Sequence, residues 1–269
     1  MERAGDEHDT GILLIERVEA GIIRLTLNDP ARRNVLSEAM MAQLSGALDA
    51  AEQDPDVRVI VLAAAGSVFC AGHDLKELTA ARDGADRGRE RFTQLLKNCS
   101  TLMRSIIANP KPVIAEIDAF ATAAGCQLVA SCDLAYASPE ASFCTPGVHI
   151  GLFCSTPMVA LSRNIGQKHA MEMLLIGDVV PAARAAEIGL VNKVVEAHNL
   201  SGYVMSIARQ ICKKSSVTLA IGKTAFYKQR EMTIADAYDY AVGVMVENML
   251  LRDAVEGIDA FIEKRPPNW

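Results

Sequence analysis

Four features are missing from this chain of 269 residues: a CxxC pair, a GxGxxG turn after a strand, a cluster of lysine and arginine, and a long apolar run. Each absence removes a class of function. The seven cysteines, at 70, 99, 126, 132, 144, 154 and 212, form an odd set placed mostly inside apolar runs. They read as reduced, buried thiols of a reducing compartment and not as metal ligands, because a secreted chain tends to pair an even set into disulfides. Without the glycine-rich turn, a dinucleotide is not implied. The formal charge is -6, from 27 basic and 33 acidic residues, and the basic ones are dispersed apart from the local pairs Arg32 with Arg33 and Lys264 with Arg265. Non-specific nucleic-acid binding needs clustered cations facing phosphates, so no nucleic-acid partner is expected. No apolar run reaches the roughly 20 residues that span a bilayer. The opening MERAGDEHDT, residues 1–10, reads as a polar tail unlike a signal or transit peptide. The expected compartment is the cytoplasm for a bacterial chain, or the mitochondrial matrix if a transit peptide has been removed.

What is present is an alternation of strand-like apolar runs with helical periodicity, the pattern of an α/β layer fold. Strands are expected over 21–28, 59–65, 112–117, 134–138 and 141–144, with a late edge strand at 190–195. A helix is expected from about Ser37, where Met40, Leu44, Ala47, Leu48 and Ala51 recur at helical spacing, another within 88–108, and a third from 124. After about residue 155 the pattern turns almost wholly helical, which suggests a core over 11–200 and a C-terminal helical region over 201–269. No internal repeat or low-complexity stretch interrupts either part.

Two separated segments share one design. SVFCAGHDL, 67–75, leaves an apolar run through Ala71, Gly72 and His73 into a helical-looking DLKEL that Asp74 is placed to cap. ATAAGCQLVASCD, 121–133, follows PVIAEI and passes through Ala123, Ala124 and Gly125 into an apolar helix. Backbone N–H groups at two helix starts can converge on an acyl oxygen and hold the charge that develops there. Small residues are needed because only they let a backbone amide approach an acyl group closely.

Together with ARRNVLS (31–37), GDVVPAARAAEIGLVNKVV (177–195) and EGIDAFIEKR (256–265), these loops resemble the enoyl-CoA hydratase/isomerase (crotonase) family over nearly the whole chain. Within it, AGHDLKEL, ATAAGCQLVASCD, TPGVHIGLFCSTP and KTAFYKQ resemble the branch of enoyl-CoA hydratase domain-containing protein 3. The resemblance implies a crotonase-type α/β fold, a spiral of ββα units followed by a C-terminal helical trimerisation region, assembled as a homotrimer or a dimer of trimers. It implies a coenzyme A thioester as substrate or ligand and no permanently bound cofactor or metal. The oxyanion donors would be the N–H groups of His73 and Ala124. Ala71, Asp74 and Leu75 would line the adenine and pantetheine path, Arg33 would lie near the phosphates, and Phe261 with Lys264 would reach in from a neighbouring subunit.

One departure from the family governs the chemistry. Where typical hydratases carry two glutamates that position and activate water, this chain has Gln127 and Gly147, and where the isomerase branch carries one it has Ser155. A glutamine neither takes nor gives a proton at neutral pH, and a positioned acid or base contributes about 10² to 10⁴ in rate. Both roles therefore read as vacant. His149 is a candidate substitute, although a satisfied structural histidine is the plainer reading. The His73 side chain is expected to point to solvent or coenzyme A, with only its N–H functional. Cys144 and Cys154 have no evident base beside them, Asp118 is read as shaping a turn, Glu116 as meeting a structural partner, and Asp133 as bonding backbone or an arginine. Three readings follow: an acyl-CoA enzyme with another proton chemistry, such as isomerisation, decarboxylation or thioester hydrolysis; a non-catalytic acyl-CoA binder; and a weak hydratase.

Overall fold

The computed structural model describes residues 11–269, so the expected tail at 1–10 lies outside the described residues. The chain opens with β1 (Leu13–Glu19) and β2 (Ile22–Leu27), then α1 (Glu38–Gln53), which Ser37 starts by accepting the Met40 N–H at 3.2 Å. Three strand pairs follow: β3 (Val59–Ala64) with β4 (Val68–Cys70), β5 (Val113–Ile117) with β6 (Phe120–Thr122), and β7 (Leu134–Ala137) with β8 (Ser142–Cys144). The first pair leads into α2 (Leu75–Ala80) and α3 (Arg89–Ala108), the second into α4 (Ala124–Ser131), and the third into α5 (Ser155–Asn164) and α6 (Gln167–Ile176). Then come β9 (Val180–Pro181), α7 (Ala182–Glu187) and β10 (Lys193–Val194), and last α8 (Ala197–Cys212), α9 (Ser216–Gln229), α10 (Ile234–Met249) and α11 (Arg252–Glu263).

Each strand pair splits between two sheets, which is how the spiral forms. The first member joins a six-stranded sheet ordered β1-β2-β3-β5-β7-β10, and the second joins a four-stranded sheet ordered β4-β6-β8-β9. All pairings are parallel except β1 with β2 and β8 with β9. Parallel strands are covered on both faces, and β5 is buried along its whole length, as its unbroken apolar run requires. Its one carboxylate, Glu116, meets Arg24 of β2, with Nη1 to Oε2 at 3.1 Å, so the expected structural partner is present. The corner between β3 and β4 needs glycine: Gly66 has φ +85, and a β-carbon there would lie 2.7 Å from that of Pro30. Asp118 occupies the exposed bend between β5 and β6, as expected. The expected edge strand at 190–195 is β10, at the border of the larger sheet. β1, β4, β6 and β9 were not foreseen: β1 is mostly exposed and carries three charged residues, and strands of two or three residues are too short to show alternation.

The expected boundary at residue 200 falls inside α8, whose Leu200, Val204, Met205 and Ala208 pack against the larger sheet. What changes character is the segment after it. α9 and α10 bury no residue and α11 buries only Ala260. Of the polar contacts that tie them to the rest of the chain, which include Arg163 with Glu231 and Ser215 with Asp253, one cluster is centred on Asp133. Lys223 of α9 donates to the carbonyls of Ile106 and Lys111 and, at 2.6 Å, to Oδ2 of Asp133, while the Tyr227 hydroxyl donates to Oδ1 at 3.0 Å. Asp133 also accepts the Val113 N–H at 2.7 Å, so its charged partner is a lysine and not the arginine anticipated. Burial pushes the Lys223 ammonium down, against the pull of Asp133, and the Tyr227 hydroxyl up. No helix among the described residues is long and apolar enough to cross a membrane.

Candidate active site

The first loop is held from one side by residues 33–36. The Ala71 N–H donates to the Arg33 carbonyl at 3.1 Å and the Leu36 N–H to the Gly72 carbonyl at 2.8 Å. The second loop turns at Ala123, whose φ of 52° and ψ of -118° are rare for a residue with a β-carbon. Its N–H donates to the Cys144 carbonyl at 2.9 Å, which anchors the turn on β8. The two loops touch. A β-carbon on Gly72 would lie 3.0 Å from that of Ala123 and 3.2 Å from the Ala124 nitrogen, and one on Gly125 would lie 2.2 Å from the Cys70 carbonyl oxygen. The small residues read as close-approach positions are therefore where the backbones meet. Neither the His73 N–H nor the Ala124 N–H donates to a protein acceptor among the described residues. Ala124 opens a wholly buried helix, so its amide also carries the positive end of the α4 dipole.

Beside these loops lies a cavity of about 840 Å³, walled by Ala71, His73, Asp74 and Leu75 of the first loop and by Thr122 and Ala123 of the second. Arg33 and Lys76 line it too, and neither side chain forms an ion pair among the described residues. Asp74 accepts the Lys76 N–H at 2.8 Å, capping α2 as expected, and is ion-paired with Arg32. Burial opposes its ionisation, but these hydrogen bonds and the Arg32 charge outweigh it and hold the carboxyl below its usual range.

Several expected positions differ. Of the two expected surroundings of the His73 ring, solvent is excluded, since both its nitrogens are buried without a hydrogen-bond partner among the described residues, although the residue lines the cavity; burial, only partly offset by the Leu36 backbone, pushes its pKa down. Burial thus favours the neutral imidazole. Gly147 lines the cavity but is no open vacancy, since a β-carbon there would lie 2.8 Å from the Leu152 carbonyl oxygen and 2.9 Å from the Cys154 sulfur. The loop after Gly147 folds back and fills the space a side chain would need. Gln127 is buried on α4 yet lines a different cavity. His149 is exposed on the first cavity's wall and is not a buried structural residue. Ser155 is exposed and lines neither cavity, its hydroxyl donating to the Phe153 carbonyl at 3.3 Å. Phe261 and Lys264 lie on and just after α11, with Phe261 85% exposed, and neither lines the cavity of its own chain.

Lys76 and Asp178, both on the cavity lining, were missed because a lone lysine in a helix and an aspartate after a glycine carry no pattern. Six of the seven free cysteines are buried and Cys212 is half-buried. Burial raises the thiols, Cys70 and Cys99 to about 12. Cys144 and Cys154 line the cavity and are raised in the same way. No group of three or more His, Cys, Asp or Glu is placed to hold a metal among the described residues.

The family model described as enoyl-CoA hydratase/isomerase matches residues 17–269. Enoyl-CoA hydratase domain-containing protein 3, mitochondrial, from Xenopus laevis is 46% identical over 96% of this chain and 86% of its own length. Its counterpart from Homo sapiens is 45% identical over 93% of this chain and 80% of its own. The crystal structure of human enoyl coenzyme A hydratase domain-containing protein 3 superposes with a TM-score of 0.91 at 43% identity, covering 96% of this chain and all of that one. That of an enoyl-CoA hydratase from Mycobacterium smegmatis gives 0.91 at 47% identity, covering 96% and 99%. With the split strand pairs, the touching loops and these likenesses together, the chain belongs to the enoyl-CoA hydratase/isomerase family, within which it resembles enoyl-CoA hydratase domain-containing protein 3.

Proposed function

We propose that the cavity of about 840 Å³ binds an acyl-CoA thioester whose carbonyl oxygen lodges between the N–H groups of His73 and Ala124. The observation that carries this reading is the pair of backbone amides on touching loops with no protein acceptor. Removing one such donor costs about 10² to 10³ in rate where the charge develops in the transition state. Arg33 and Lys76, unpaired cations on the lining, would take the phosphates, while Ala71, Asp74 and Leu75 wall the path. No cofactor is held permanently. The apolar faces of α10 and α11 would be covered in a homotrimer or a dimer of trimers, in which Phe261 and Lys264 reach a neighbour's cavity. The buried thiols suit a reducing compartment, cytoplasm or mitochondrial matrix.

Hydration of a double bond needs a group that moves water's proton, and Gln127 cannot supply it. A reaction that uses the oxyanion hole with different proton handling, such as isomerisation, decarboxylation or thioester hydrolysis, fits better. His149 and Asp178 are the lining residues placed for it, because Asp74 is committed to Arg32. A non-catalytic acyl-CoA binder is the second reading, favoured by the absence of any glutamate from the lining. Calorimetric titration with acetyl-CoA, followed by a crotonyl-CoA hydration assay, tests both steps. Binding with hydration far below that of a glutamate-bearing relative is expected. No binding of any CoA thioester would end the proposal, and fast hydration would end its account of the missing glutamates.

A further inference from the structure

Behind the oxyanion loops lies a second cavity, of about 590 Å³, inside the range of roughly 300–1,000 Å³ common for small-molecule sites. α4 and the turn before it border both cavities, which share no lining residue. Ala123 lines the first cavity, and Gln127, Ala130 and Ser131, at helical spacing from it, line the second. Gln127 stands one turn, about 6 Å, beyond Ala123 along the helix axis. The start of α5 repeats the arrangement, with Cys154 on the first cavity and Thr156 on the second.

Two properties of this second cavity point to a ligand. Gln127 is only 4% exposed, and its Oε1 is buried with no hydrogen-bond partner among the described residues. A buried acceptor in a native protein is normally satisfied, so a group from outside the chain is missing at this point. The lining also carries four cations, Arg104, Arg163, Lys228 and Arg230, against the single acid Glu231. Glu231 is engaged by Arg163 at 3.4 Å, Lys228 lies over the Tyr240 ring and Arg230 over that of Phe226, whereas Arg104, exposed at the cavity's rim, has no ion pair among the described residues.

We propose that the second cavity receives the far end of an acyl chain that terminates in a carboxylate, so that the ligand is the CoA monothioester of a dicarboxylic acid. Arg104 meets the distal carboxylate as a fork of N–H donors. The proposal rests on the acyl-CoA reading above and deepens it. It also gives the Gln127 substitution a physical reason: a glutamate on this lining would repel an anionic chain, whereas a neutral amide does not and can hydrogen-bond to it or to a water beside it.

The test is calorimetric titration of the full chain with adipyl-CoA and with hexanoyl-CoA, which share chain length and differ by the terminal carboxylate. The wild type is expected to bind adipyl-CoA about tenfold tighter, the effect of one charge-assisted hydrogen bond. Arg104→Ala abolishes that preference while hexanoyl-CoA affinity is retained, which also shows that the variant is folded. Gln127→Glu weakens adipyl-CoA more than hexanoyl-CoA. Equal wild-type affinities, or a preference that survives Arg104→Ala, overturn the inference and leave the thioester site standing. Failure of acetyl-, hexanoyl- and adipyl-CoA alike to bind overturns the underlying reading instead.

Discussion

α4 and α10 are both apolar helices, yet every one of the eight residues of α4 is buried and none of the sixteen of α10 is. α4 sits where the two loops, both cavities and helices α3 and α5 come together, so its burial is completed by this chain alone. α10 displays Ile234, Tyr238, Val242 and Met245, with Ile234 81% exposed, on a region that contacts the core through Asp133 and through Arg163. A contiguous exposed apolar surface of this kind marks an interaction face. The first helix borders the candidate site, and the second presents the face that the proposed assembly would cover.

The sharpest way to break the contrast is to cut the tether between the regions. Asp133→Ala leaves the Lys223 ammonium buried without its partner and is expected to cost about 3–5 kcal/mol in urea denaturation. A loss below 1 kcal/mol would mean that α9 is held by something other than this pair. Next comes the close approach at α4. Gly125→Ala sets a β-carbon against the Cys70 carbonyl and is expected to cost about 1–3 kcal/mol and to weaken acetyl-CoA binding as the loops part.

Smaller is the pH term of His73. Its folded pKa lies below its ordinary value of 6.5, so the unfolded chain takes up the proton more readily and stability falls as pH drops below that value. The His73 contribution is complete above pH 6.5 and is lost on acidification. His73→Leu should flatten the fall between pH 7 and 5 relative to wild type, as read from paired denaturation curves; parallel curves would refute the burial of the ring. Least costly to the fold is Val242→Glu, on the exposed face of α10, expected within about 0.5 kcal/mol for the isolated chain. The same substitution should lower the assembly mass in sedimentation, and an unchanged mass would remove α10 from the interface.

The loops were legible in the sequence because close backbone approach imposes a visible rule, small residues at Gly72, Ala123 and Gly125, where a β-carbon added to Gly72 would lie 3.0 Å from that of Ala123 and one added to Gly125 2.2 Å from the Cys70 carbonyl oxygen. The long buried strands were legible for a similar reason, since burial on both faces demands an unbroken apolar run. Gly147 shows where this stops. The residue type showed a vacant acid-base role, but that Leu152 and Cys154 return to fill the place of a side chain is announced by nothing local. Gln127 carries the same lesson, because the residue type was read correctly while its cavity depended on α3, α5 and α9.

By itself the sequence determined what each side chain is able to do: a glutamine cannot titrate and a glycine cannot reach, whatever surrounds them. It also determined the layered α/β order, since periodicity and apolar runs are local properties of the chain. Only the tertiary structure decided which groups meet. The amides of residues 73 and 124 are left without acceptors, and the nitrogens of the His73 ring are closed off from water, by segments far away in the chain. Availability of a hydrogen bond is a property of the whole packing and not of the residue that carries it.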